Sequence, residues 1–120
     1  MQKVLVGSRI PFNVSIDGLG GKSLTDSSVS LTVTFFTVKR TDYGNTGLAE
    51  GEPIDKKQMI QPDPDDQESL LCIADTTNLS TGKLYAKIEV TYMDEASGNK
   101  EIHEKIAVDT GIILYTPITV

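Results

Sequence analysis

The sequence predicts an all-β fold, an antiparallel immunoglobulin-like β-sandwich, with a small barrel as the alternative. First, almost every apolar segment alternates with a period of two residues, which is typical of a strand with one buried face. Second, the segments are short and are separated by Gly, Asp, Asn and Ser turns, which indicates about six to eight strands. Third, no segment keeps helical periodicity over three turns. The best helical candidate, residues 54–60, lies between prolines.

The alternation places the strands in order along the chain. A phase change at Phe36 and Val38 predicts a bulge in the second clear strand. Residues 83–108 predict a hairpin with its turn at the letters EASGN, residues 69–74 predict a further strand, and residues 111–120 predict one or two more. The predicted inward positions are Ile10, Phe12, Val14 and Ile16, then Val29, Leu31, Val33 and Phe35, then Leu84, Ala86, Ile88, Val90 and Tyr92, and finally Ile102, Ile106 and Val108.

Length and charge limit the domain count and the partners. The 120 residues, 38% of them hydrophobic, suit a single domain covering residues 1–120. A net charge of −6 would repel nucleic acid and anionic membranes, so neither is expected as a partner. Residues 41–68 hold eight acidic and two basic residues as well as three prolines. They predict a long acidic loop, either functional or partly disordered.

Cysteine usage and the amino terminus bear on the compartment. Cys72 is the single cysteine, which excludes an internal disulfide and a cysteine-built zinc site, and its apolar surroundings predict a buried, inert thiol. The first twelve residues lack the apolar segment of a secretory signal, and no run reaches the length of a membrane helix. Synthesis in the cytosol is therefore expected.

The letters GLGGKS at residues 18–23 suggest a phosphate-binding loop. Such a loop needs a glycine five residues before Gly21, where Ile16 stands, and a helix after Lys22. The residues that follow are rich in Ser, Thr and Val and alternate as a strand. We therefore interpret the segment as a connection between strands and expect no nucleotide or other cofactor.

Asp109-Thr110-Gly111 carries the signature of an aspartic protease. That chemistry needs two such aspartates sharing a proton, which a dimer would supply, and it needs a flap after the motif. Nine residues follow Gly111, which is too few, so a bulge containing a glycine is the preferred interpretation. A dimeric aspartic protease remains a remote alternative.

Other polar residues predict neither a catalytic nor a metal site. His103 is the single histidine and lies on the polar side of its strand, with no nucleophile at a suggestive spacing. The acidic cluster lacks the residue order of a helix-loop-helix calcium site and is interpreted as a solvated loop. Its members are Asp63, Asp65, Asp66 and Glu68.

Both chain ends are apolar and need a cover, either within the sheet or on another chain. Strand addition or face packing at an oligomer interface would supply one. The predicted interface residues are Val4, Val6, Leu114, Tyr115, Ile118 and Val120.

Two segments, GKSLTDSSVSLTV at 21–33 and NLSTGKLYAKIEV at 78–90, resemble the immunoglobulin-like modules of tailed-phage virion proteins, notably the amino-terminal domain of the baseplate upper protein family. The resemblance covers about three quarters of the chain. Leu84 stands where the family often has Tyr, and the helical or fibre-forming segments usual in the family do not follow, which fits a capsid decoration or head-fibre component better. The matching residues are Asp17, Gly18, Gly21, Lys22, Leu24, Thr25, Val29, Leu31, Gly82, Leu84, Ala86, Ile88 and Val90.

The resemblance implies a non-enzymatic structural protein of the virion, made in the host cytoplasm, with no catalytic residue to carry over. Its implied partners are other virion proteins of the capsid or tail, and a homo-oligomer is expected. The alternative is a cell-surface or polysaccharide-binding sandwich. Because the chain has no Trp, its sugar platform would have to come from Tyr43, Tyr85, Tyr92 and Tyr115.

Overall fold

A computed structural model describes residues 2–16, 18–19, 21–40, 46–66 and 68–117. In this part of the chain the fold is all-β, as predicted, with single 3₁₀ turns at Lys56–Gln58 and Glu95–Ser97. The strands are β1 Gln2–Leu5, β2 Arg9–Ser15, β3 Ser30–Arg40, β4 Thr46–Glu50, β5 Ile54–Asp55, β6 Ser69–Asp75, β7 Gly82–Asp94 and β8 Lys100–Tyr115.

The strands form two sheets that pack face to face. The large sheet has the order β1-β8-β7-β3-β4, and β5 pairs with β3 beyond the end of β4. The small sheet consists of β2 and β6, which run antiparallel. The pairs within the large sheet are antiparallel except for β1 and β8, which are parallel. The predicted hairpin is confirmed as β7 and β8, and the predicted strand at 69–74 as β6.

The core lies between the two sheets and follows the predicted alternation. On β3, Leu31, Val33 and Phe35 are buried, and the Phe12 ring of the small sheet stacks on Phe35 with 5.0 Å between the ring centroids. Behind them, alternate residues of β7 from Leu84 to Tyr92 face the same way. The connection between β2 and β3 adds the buried side chains Leu19, Leu24 and Val29.

The bulge predicted at Phe36 and Val38 was wrong. β3 pairs with β7 in one unbroken register from Ser30 to Thr37. Thr37 takes the inward position with no exposed surface, because its Oγ1 accepts the Ser80 N–H at 3.0 Å and lies 2.8 Å from the Ser80 hydroxyl. The apolar Phe36 faces the opposite side of the sheet and stacks on Tyr85.

The prediction of one long loop at 41–68 was wrong in part. Within residues 46–66 the chain forms β4, β5, a 3₁₀ turn and a bridge from Ile60 to Leu71 of β6. The Lys56 ammonium donates to the carbonyl oxygens of Asp26 and Val29, which fixes this segment to the body of the domain. Exposed acidic side chains interrupt the alternation of apolar and polar residues in this segment, because an edge strand can carry charged side chains at little cost in free energy. Residues 41–45 and 67 lie outside the described residues.

The molecule is elongated because β7 and β8 are long. The radius of gyration is 16.4 Å and the principal extents are 57 × 33 × 22 Å. A compact domain of this length has a radius of gyration of about 14 Å. The small sheet covers only part of the large one, so one end of the β7–β8 hairpin extends beyond it.

Candidate functional site

An apolar groove lies where the hairpin extends beyond the small sheet. Its floor, which we call the shelf, consists of Ile88, Ile106 and Val108 on the face of β7 and β8 that points toward the small sheet. Ile106 is 61% exposed and Val108 is 40% exposed. The groove has a volume of about 660 Å³, and its other wall is the end of β2 at Ser15 and Ile16. The shelf therefore has the character of core while remaining open to solvent.

The groove continues inward along β2 as a second cavity of about 280 Å³. This part passes beneath Phe12 and Val14 and reaches Val33 and Phe35 of the core. Ser15, Ile88 and Val108 line both parts. An apolar strip thus runs beside β2 from the core to the exposed hairpin.

The outer edge of β2 offers backbone hydrogen-bonding groups to this groove. The Thr76 N–H donates to the Ser8 carbonyl, so the even-numbered residues of β2 point their backbone groups toward β6. Strand alternation then directs those of Arg9, Pro11, Asn13 and Ser15 to the other side. Pro11 has no N–H to offer, and a proline with its nitrogen on the open side is typical of an edge strand. This side of β2 has no strand partner among the described residues.

The outer edge of β8 is open over most of its length. In the described chain, β1 pairs only with Ile112–Tyr115 of β8. The Val6 N–H donates to the Tyr115 carbonyl, so the odd-numbered residues at this end point their backbone groups away from β7. The same alternation of backbone directions holds in residues 100–109 toward the hairpin tip. The bulge that separates these residues from Ile112 inserts two residues into β8, and an even number leaves the alternation unchanged. Residues 101, 103, 105, 107 and 109 therefore present outward backbone groups.

Both edges carry charged side chains. Arg9 begins the exposed face of β2, while β8 carries Glu101, Glu104, Lys105 and Asp109 on exposed side chains. Glu104 and Lys105 line the groove itself. Charged residues on an open edge reduce unspecific strand pairing, so a partner would need a matching charge pattern.

Asp109-Thr110-Gly111 forms the predicted bulge, which the register confirms. Thr110 and Gly111 are the two inserted residues, since Tyr85 pairs with Asp109 and Leu84 with Ile112. Gly111 has a φ of +78°, its N–H donates to Asp109 Oδ1 at 2.9 Å, and Thr110 Oγ1 donates to the Leu84 carbonyl at 2.8 Å. Asp109 Oδ2 lies 3.7 Å from Lys83 Nζ. The motif thus shapes the strand on the outer face of the large sheet.

Two of the predicted terminal interface residues, Val4 and Leu114, lie side by side on β1 and β8. Val4 pairs with Leu114 and is half-buried, and Leu114 is buried in the core with 1% of its surface exposed. Leu114 is therefore not available to another chain. Val6 is half-buried and Tyr115 is exposed. Ile118 and Val120 lie outside the described residues.

The connection with the Gly-Lys-Ser letters enters a strand, as predicted. Gly18 and Gly21 have positive φ values, and the Lys22 N–H donates to the Leu19 carbonyl. Leu24 and Val29 then enter the core ahead of β3. The segment therefore connects the two sheets.

The remaining polar candidates stand apart from the groove. Asp63 and Asp66 accept backbone N–H groups two residues ahead, and no cluster of metal-ligating side chains occurs in the described chain. His103 Nδ1 lies 3.1 Å from Thr91 Oγ1 on the outer face. Burial raises the pKa of the Cys72 thiol to about 11, as fits the predicted inert cysteine.

The tyrosines do not gather into one described platform. Tyr85 faces outward against Phe36, whereas Tyr92 is buried on the opposite face of the same strand. Tyr115 lies at the far end of β8, and Tyr43 falls outside the described residues. The polysaccharide-binding alternative gains no support from their placement.

The sequence predicted the direction of the shelf residues but not their exposure. Ile106 and Val108 were correctly placed on the inward face, yet periodicity cannot show how far a second sheet extends over that face. The available signal was the length of the hairpin, whose predicted inward face has more positions than the short β2 and β6 segments can cover.

Comparison of the chain with protein-family models, curated proteins and solved structures gave no match. Among the described residues no helix is both long and apolar enough to span a membrane.

Proposed function

We propose that this chain is a non-enzymatic structural protein of a tailed-phage virion and that it acts through protein–protein contacts. It would be a capsid decoration, head-fibre or baseplate component with an immunoglobulin-like β-sandwich fold. The observation that carries the proposal is the exposed shelf of Ile88, Ile106 and Val108 between two open strand edges. Apolar shelves of this kind are buried in assemblies.

The two segments that resemble phage virion modules lie in the body of this fold. Residues 21–33 form the core connection and the first part of β3, and residues 78–90 lead into β7. They therefore contribute core residues beside the shelf, and the second segment contains the shelf residue Ile88. This supports a module that presents a contact surface on a rigid β framework.

The test is to detect the chain in purified particles of the phage that encodes it. Peptides of this protein should appear in digested virions at a constant ratio to the major capsid or tail protein. A phage carrying Ile106→Lys should incorporate less of it, because a lysine on the shelf would have to be desolvated on assembly. Ile60→Lys is the matched control, since Ile60 is equally exposed at 59% but lies away from the groove.

Particles that lack the protein would contradict the virion role. Equal incorporation of the Ile106→Lys and Ile60→Lys variants would contradict the role of the shelf. Western analysis of the producing cells should show equal amounts of both variants, which separates assembly from protein stability.

A further inference from the structure

The two borders of the groove are complementary edges of the same chain. One border is the open edge of β2, and the shelf ends at the open edge of β8. We propose that a second copy of the chain fills the groove, with the β8 edge of each protomer pairing antiparallel with the β2 edge of the other. This rests on the proposed function in naming the partner of the same surface.

Strand directions in the monomer suit this arrangement. β2 starts near the Tyr115 end of β8, where Val6 bonds to Tyr115, and it ends beside Ile106, so the two strands run in opposite directions. A two-fold axis that lies between the two sheet layers and runs parallel to the strands exchanges the two layers. The strand directions are unchanged by this rotation. The partner's β8 then enters the small-sheet layer antiparallel to β2, and the two shelves face each other about 10 Å apart, the usual distance between packed sheets.

Backbone and side-chain phases agree in this pairing. On β2 the residues with outward backbone groups are odd-numbered, and their side chains face away from the core. On β8 the odd-numbered residues also have outward backbone groups and side chains on the outer face of the large sheet. Antiparallel partners must match in both respects, because a one-residue slip reverses every side chain. The edges of β2 and β8 meet both conditions together.

The axis also limits the register, because rotation about an axis along the strands keeps every residue at its own height. Since β2 ends beside Ile106, the register that keeps both phases places Val14 opposite the partner's Ile106 and Phe12 opposite the partner's Val108. Arg9 is then a diagonal neighbour of the partner's Asp109. Apolar pairs directly across a ladder stabilise it, and opposite charges on the diagonal are within reach of long side chains. The dyad gives each contact twice.

Symmetric pairings of the same edges fit less well. A β8–β8 ladder joins the two large sheets edge to edge in one plane, so the partner strand does not cover the shelf, whose side chains stand perpendicular to that plane. A β2–β2 ladder would bring the two overhanging hairpins into the same space. The β2–β8 exchange avoids both problems and covers the open β2 and β8 edges of both protomers.

Disulfide trapping tests the register directly. Two Cys72→Ala chains are mixed, one carrying Asn13→Cys and the other Ala107→Cys, and oxidation should give a covalent dimer on a non-reducing gel. Directly opposite residues lie about 5.5 Å apart between Cα atoms, within disulfide range. Asn13 and Ala107 face away from the core on different sheets, so a link joins two chains. Ser15→Cys with Lys105→Cys is a second pair from the same register.

Asn13→Cys mixed with Glu101→Cys is the matched control. Glu101 lies on the same face of β8, six residues and about 20 Å from Ala107, so this pair should link at least tenfold less. Arg9→Asp should weaken dimerisation about tenfold, and Arg9→Asp combined with Asp109→Arg should restore it. Equal linking of matched and control pairs, or no linking of either matched pair, would overturn the proposal. If the protein is nonetheless found in virions, the structural role stands and only the partner is wrong.

Discussion

At the scale of single residues, two fully buried positions carry a threonine instead of an apolar side chain, and the hydroxyl of each has a specific hydrogen-bond partner. Thr37 on β3 bonds to Ser80, and Thr76 accepts the Gly7 N–H while donating to the Ser8 carbonyl. Both threonines are completely buried. Because an unpaired buried polar group costs free energy, these bonds fix the ends of β3 and β2 in one arrangement.

Thr37→Val should lower the free energy of unfolding by about 1–3 kcal/mol, because the partly buried Ser80 N–H loses its acceptor. Thr37→Ser keeps the oxygen and removes one methyl group, at a cost of about 1 kcal/mol. Urea denaturation followed by circular dichroism measures both. A valine variant as stable as the wild type would show that the hydroxyl bonds contribute nothing.

At the scale of elements, the bulge in β8 permits one long strand to serve two purposes. After the bulge, Ile112 and Leu114 enter the core and pair with β1. Before the bulge, the strand carries the exposed shelf residues Ile106 and Val108. Two inserted residues rather than one keep Val108 and Ile112 on the same face. The bulge therefore keeps the shelf residues on the same face of β8 as the core residues.

Gly111→Ala should lower the free energy of unfolding by about 1–2 kcal/mol, because a side chain is disfavoured at a φ of +78°. Gly47→Ala is the matched control. Gly47 lies in β4 with open space around its Cβ position and no positive φ, so its substitution should have little effect. Thermal unfolding of both variants decides the matter. Equal midpoints for the two would contradict the strained position of Gly111.

Sequence pattern predicted most elements because burial on one face imposes the period of two. It could not predict β4 and β5, since Leu48 and the acidic residues around it lie on an exposed edge where no face is selected for burial. The phase change at Phe36 led to the wrong prediction of a bulge for a related reason. The inward position is occupied by Thr37, whose hydroxyl is hydrogen-bonded, and not by an apolar residue. The groove depends on how two sheets overlap, which is a tertiary property that no single strand records.

At the scale of the whole molecule, the two sheets are unequal and the excess of the large sheet is apolar. The elongated shape, the open edges of β2 and β8 and the exposed Ile106 follow from that mismatch. Reciprocal packing of two copies would give each shelf a cover and extend the small sheet across the dyad. A dimer would then be the unit that is added to a larger assembly.

The solution mass of the purified chain, measured by light scattering over a concentration series, tests this account most directly. The account predicts a mass of about 26 kDa, twice the 13.0 kDa of the chain, falling to the monomer on dilution. Ile106→Lys should shift the equilibrium to the monomer, and Ile60→Lys should leave it unchanged. A wild-type mass of 13.0 kDa at every concentration, or a dimer unaffected by Ile106→Lys, would contradict the claim that the shelf is the site of self-association.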